Sequence, residues 1–198
     1  MQRAFMLSVS IAAVTWTANA FADSPNLMGA YGFTRTVKCI LSESDFDGID
    51  FHATGPTWGE AFAEEGVRTF NGDGNGTQSF TALNIEIPSD NSGANSSHVT
   101  DQKFTYTVNG DGTWSIPGSG SITGHVDDGP RAGQDFTIFP VGPSLGHIST
   151  NAATLTLSTV IANVETITYT IGSPPVLVDT LYRICNRSSV HISLPPGQ

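Results

Sequence analysis

Two hairpin tips of the same chemistry, Phe70-Asn71-Gly72-Asp73-Gly74 and Val108-Asn109-Gly110-Asp111-Gly112, punctuate runs of alternating apolar and polar residues. Asn-Gly and Asp-Gly accept the positive φ angles that tight β-turns demand, so each tip reads as a hairpin joining antiparallel strands. Residues 29–41 place Tyr31, Phe33, Val37, Cys39 and Leu41 on one face of a strand and Thr34, Thr36 and Lys38 on the other. Arg35 interrupts the apolar face. Further strands are expected at 61–70, 77–87, 102–109, 113–125 (bent or split near Pro117), 134–141, 152–160, 164–171 and 176–186. Ser42 to Gly59 and residues 88–100 read as polar loops.

No stretch long enough for a helical crossover separates these strands, which favours an antiparallel meander over a parallel α/β sheet. The expected fold is all-β: an antiparallel up-and-down barrel of about eight to nine strands, closed so that no strand edge is left open. A two-sheet β-sandwich is the alternative.

Residues 1–22 follow the order of a secretory signal peptide: Arg3 at the head, an apolar stretch from Ala4 to about Val14, and Ala20-Phe21-Ala22 as a small-x-small cleavage pattern. That apolar stretch is too short to span a membrane, and no other segment is long enough. A single β-barrel domain over 23–198 is expected, with an extracytoplasmic, periplasmic or secreted location. The chain carries 8 Lys and Arg against 18 Asp and Glu. Such acidity argues against nucleic acid as a partner, because phosphate binding draws on basic side chains. The two cysteines, Cys39 and Cys185, stand near the two ends of the domain. In an oxidising compartment an isolated pair forms a structural disulfide, and the absence of a Cys-x-x-Cys spacing argues against redox activity.

Three segments carry a resemblance. Gly29-Ala30-Tyr31-Gly32-Phe33, the run Gly66 to Gly76 and the run Phe104 to Thr113 resemble the Gly-x-Tyr-x-Phe opening and the two Asp-Gly hairpins of a family of uncharacterised secreted bacterial proteins with a lipocalin-like, or calycin-like, barrel. The chain departs from that pattern at Asn71, where the family has Asp, and at Phe104-Thr105-Tyr106, where it has Gly-x-Tyr. The resemblance implies a barrel fold and a bacterial source; it implies no catalytic residues.

Function is read from what such a barrel encloses. Tyr31, Phe33, Phe104, Tyr106 and Trp114 fall on expected strands, and Trp58 sits in the Gly55-Pro56-Thr57-Trp58-Gly59 segment. In an eight-stranded barrel such aromatics fill the core or line one small-ligand cavity. These six are the candidate ligand-binding residues, the ligand being small and apolar and entering past the 42–59 loop. The alternatives are an envelope or surface module for structure or adhesion, and a barrel isomerase or cyclase. No Gly-x-Ser-x-Gly or His-Glu-x-x-His motif occurs. Asn71, Asp73, Asn75 and Gly76 imitate the start of a calcium loop, but Ala82 stands where the closing glutamate belongs. His125 and Asp127 share a strand face, an arrangement open to acid–base work and ordinary for a surface turn. No metal or cofactor is expected.

Overall fold

A computed structural model describes residues 27–87, 93–118 and 120–195; the leader expected over 1–22 lies outside them. The described chain is all strand and turn. Strands β1 (Met28–Ser42), β2 (Thr57–Asn71), β3 (Asn75–Ile87) and β4 (Ala94–Thr105) form a long meander. Then follow β5 (Thr107–Val108), β6 (Thr113–Ile116), β7 (Ile122–Asp128), β8 (Asp135–Phe139), β9 (Ser144–His147), β10 (Thr154–Thr159), β11 (Val164–Ile171) and β12 (Val176–Ser193).

Eight of these close a ring in the order β1-β2-β3-β4-β7-β8-β11-β12, with β12 pairing back onto β1. Every ladder in the ring is antiparallel. The expected up-and-down barrel is therefore what the chain forms, and its closure excludes the two-sheet sandwich.

The ring carries a branch. Strand β12 pairs β11 through Val176–Ile184 and switches to β10 through Ser188–Ile192. From β10 the sheet continues through β9 and β6 to β5, which follows β4 after one residue, Tyr106. One side of the molecule thus has two short walls, β7-β8-β11 and β10-β9-β6, rising from the same long strands. The split falls near Pro117, where the sequence predicts a bend.

The strands form for the reason their alternation implies: odd positions of β1 and β12 face inward and even positions face out. Gly72 and Gly74 take φ of 85° and 88° at the β2–β3 tip, as the Asn-Gly-Asp-Gly sequence demands. At Gly146 a side chain would collide with the Thr156 carbonyl, and only a bare backbone lets the Trp114 indole N–H reach that oxygen at 2.8 Å. The loop that the sequence predicts over 88–100 is corrected: 88–92 lie outside the described residues, and 94–100 belong to β4, paired to β3 from Ile85↔Ala94 to Phe80↔Val99. Their polar character reflects what they face: Asn95 is buried against Asn84, whose side-chain oxygen accepts from the Asn95 N–H at 3.0 Å.

Cys39 and Cys185 are register partners across the β1–β12 seam and form a disulfide with Cα atoms 4.1 Å apart. It staples the ladder that closes the ring. The core has two apolar parts. Val37, Leu41, Val126, Ile167 and Leu181 fill the end nearest the β1–β2 loop. Leu27, Tyr31, Phe70, Tyr106, Trp114 and Leu155 plug the other.

Candidate functional site

A belt of charge runs through the interior, its members alternating with the apolar side chains. Arg35, Arg68, Arg183 and Arg187 point inward from β1, β2 and β12, and Glu60, Glu64 and Glu165 from β2 and β11. Buried charges persist only when paired or hydrogen-bonded, and here the pairing is uneven. Arg35 pairs with Glu64. Arg187 bonds to Glu165, and Arg183 lies 3.0 Å from Glu165 and 3.6 Å from Glu60. Burial alone would raise the Glu165 carboxyl, but Arg183 and Arg187 bring it down to about 2. Glu60 shows the opposite balance: burial raises its carboxyl despite Arg183 and the Asn84 amide, which donates at 2.7 Å.

Arg68 is the odd one. Only 2% exposed, it has no carboxylate partner among the described residues. Its Nε and Nη2 donate to Gln78 Oε1 at 3.0 and 2.7 Å, and Nη1 donates to His191 Nε2 at 3.1 Å. Burial and the neighbouring Arg68 and Arg35 charges bring His191 down to about 3, so the ring is neutral and accepts through Nε2. The Arg68 guanidinium stacks 5.1 Å from the Phe33 ring centre and 5.2 Å from that of Phe104. Burial, with Arg35 beside it, pushes Arg68 down to about 9, which leaves it charged at neutral pH.

The belt is reached from outside. A cleft of about 550 Å³ enters through the side of the barrel, with Arg35, Arg68, Arg187 and Gln78 at its inner end. Phe104, Ile116, Ile122, Val141 and Leu157 supply apolar walls, and Asp73, Asn75 and Lys103 stand among its polar lining. Its origin is a bulge in β4. Asp101 adopts φ 50°, its N–H donates to Ser79 Oγ at 2.9 Å, and the register slips between Gln78 and Phe80. A bulge turns a strand away from its neighbour, and β4 pairs β7 only through Ser96–His98. Beyond it the Gln102 side chain takes over, accepting from the Thr123 N–H at 3.2 Å. The cleft is the gap left where β4 parts from the two short walls. A second cavity, about 50 Å³, lies deeper and shares Arg35, Arg187 and Ile122 with it.

The six aromatic candidates separate. Phe104 lines the cleft, and Phe33 stacks on the guanidinium at its inner end. Tyr31, Tyr106 and Trp114 belong to the apolar plug; the Tyr31 hydroxyl donates to Ala152 O and that of Tyr106 to Leu27 O. Trp58 is the second residue of β2, opposite Leu41, and packs half-buried against the far core, outside the cleft lining. No lining residue of the cleft comes from 42–59. Arg68, Gln78 and Arg187 belong to no motif; their one signal in the sequence is parity, Arg68 being in step with Phe70, Gln78 with Phe80 and Arg187 with Cys185.

On the outer wall, His125 and Asp127 do not pair with each other. His98 Nδ1 meets Asp127 at 2.7 Å and His125 Nδ1 meets Asp135 at 2.7 Å, all four groups solvent-accessible. Asp73 is engaged as the acceptor for its own turn, from the Asn75 N–H at 2.9 Å. Among the described residues no group of three His, Cys, Asp or Glu is arranged to hold a metal ion, and no helix is long and apolar enough to cross a membrane. Comparison with family models, with curated proteins and with solved structures finds no match to this chain. The closed antiparallel barrel with a charged interior is thus defined by its own geometry.

Proposed function

We propose that this protein is an extracytoplasmic binding protein, a carrier or sensor, that takes a small organic molecule into the cleft between its two short walls. The carrying observation is the cleft itself: about 550 Å³, partly apolar and ending on buried polar groups. Those proportions suit a small-molecule site, where apolar walls supply affinity and a few fixed polar groups supply orientation. The buried disulfide fits an oxidising compartment, and the expected leader would deliver the chain there. A barrel of the lipocalin-like type is suited to the task. The polar groups at the inner end are cations and an amide, a set that orients a guest more readily than it moves protons.

Native mass spectrometry of protein purified from its own compartment tests this directly. An adduct of a few hundred daltons is expected on the wild type and is expected to vanish in Ile116→Trp, which fills the cleft mouth. Retention of the adduct in that variant, with the far-ultraviolet spectrum unchanged, would move the guest elsewhere. An adduct-free wild type would count against a carrier.

A second reading, a module for self-association, rests on the outer wall. There Val67, Val190, Ile192 and Leu194 line a shallow groove of about 920 Å³. It predicts a concentration-dependent dimer in sedimentation that Ile192→Glu abolishes.

A further inference from the structure

We propose that the guest is an organic monoanion, a carboxylate with a small apolar body, whose head group sits on Arg68. This rests on the reading of the cleft as a ligand site and names the chemistry it selects. The belt holds four arginines against three glutamates, Arg35, Arg68, Arg183 and Arg187 against Glu60, Glu64 and Glu165. The three glutamates are taken up by Arg35, Arg183 and Arg187. One positive charge is left over, that of Arg68, one of three arginines at the cleft's inner end.

A guanidinium has five N–H donors, of which Gln78 and His191 take three from Arg68. Phe33 and Phe104 pack against it, with ring centres 5.1 and 5.2 Å from its central carbon. A planar, pre-oriented fork with spare donors is suited to a carboxylate, which accepts two parallel bonds from it. An unpaired buried cation destabilises the empty barrel, and a bound anion relieves that cost, so affinity and stabilisation come from the same event.

The apolar body follows from the rest of the lining and from the protein's overall charge. At a formal net charge of −10, the molecule repels small anions at long range. An inorganic ion gains nothing from Ile116, Ile122, Val141 and Leu157 to offset that repulsion; a short alkyl chain or ring does.

The test is calorimetric titration of the full disulfide-bonded protein with octanoate, 1-octanol and inorganic phosphate. Octanoate is expected to bind at least tenfold more tightly than either of the others. Arg68→Met is expected to lose tenfold or more in octanoate affinity, so that its preference for octanoate over 1-octanol disappears, and Arg68→Lys to fall between. In the wild type, the Arg68 Nε–Hε resonance is expected to shift on octanoate addition, a readout independent of how the variants fold. Equal binding of octanoate and 1-octanol would overturn the anion proposal and leave the cleft as a ligand site. Binding of neither would overturn both. Phosphate binding as tight as octanoate would reduce the site to one for free ions and remove the role of the apolar walls.

Discussion

Replacing both cysteines, Cys39→Ala with Cys185→Ala, is expected to lower the stability of the barrel by about 4–5 kcal/mol while leaving its far-ultraviolet spectrum unchanged. The bridge spans 146 residues of sequence, so in the chain-entropy account its removal releases nearly the whole domain into a larger unfolded ensemble. The native side of the balance changes little. Cys39 and Cys185 are already register partners in a continuous ladder from Tyr31↔Ser193 to Ser42↔Tyr182, and that ladder persists without the bond. The effect therefore acts through the unfolded chain. Denaturant titration of oxidised wild type, reduced wild type and the double variant measures it. The last two are expected to coincide within about 1 kcal/mol, because all that separates them is two buried thiols. A loss below about 1 kcal/mol in both would show that the seam is held by its ladder alone.

Glu165→Gln is expected to cost about 3–5 kcal/mol, the usual penalty for stripping one member from a buried ion pair. Glu165 is 1% exposed and is the shared counter-ion of Arg183 and Arg187. The same carboxylate predicts an acid response. Its folded-state pKa of about 2 lies below the ordinary 4.5. The unfolded chain therefore binds the proton first, and stability due to Glu165 is fully present above about pH 5 and is lost as pH falls toward 2. That loss is about 3 kcal/mol by linkage. Glu60 works the other way: its raised carboxyl takes up a proton before the unfolded chain does, which favours the fold as pH drops. Urea midpoints of wild type and Glu165→Gln, followed from pH 7 to pH 2, separate the two. The curves are expected to be far apart at neutral pH and to converge in acid. Parallel curves would mean that Glu165 does not carry the ion network.

Much of the barrel was legible because one face of each long strand is buried, which makes alternation a reliable signal. Tyr31, Phe33, Val37 and Cys39 announce β1 in this way, and the two Asn-Gly-Asp-Gly tips announce the hairpins. The cysteine pair was legible from compartment and count. Strand β4 was obscured because its first inward residues, Asn95 and Ser97, are polar like the outward Ser96 and His98, and Val99 is the one apolar residue of the run 95–100. A single apolar position makes no alternation. The branch was obscured for another reason: β5, β6 and β9 span two to four residues each, too short for a pattern to build up. The site suffered most. Sequence reasoning treats a charge at an inward position as an interruption, as it did for Arg35. Only the pairing of β1, β2, β11 and β12 together shows that seven such interruptions share the interior of one barrel.

The divided wall has a consequence for the proposed carrier role. Among the described residues, one backbone hydrogen bond, Val141 N–H to Gly120 O at 3.0 Å, joins the linker before β7 to the linker after β8. The second linker is anchored again where the Gly142 N–H donates to Glu165 at 3.1 Å. Parting the linkers breaks a latch and leaves the ladders of the eight-stranded ring intact. Local opening of this kind needs far less free energy than unfolding. In the proposed carrier, the rate of exchange and the durability of the barrel are therefore set by different residues.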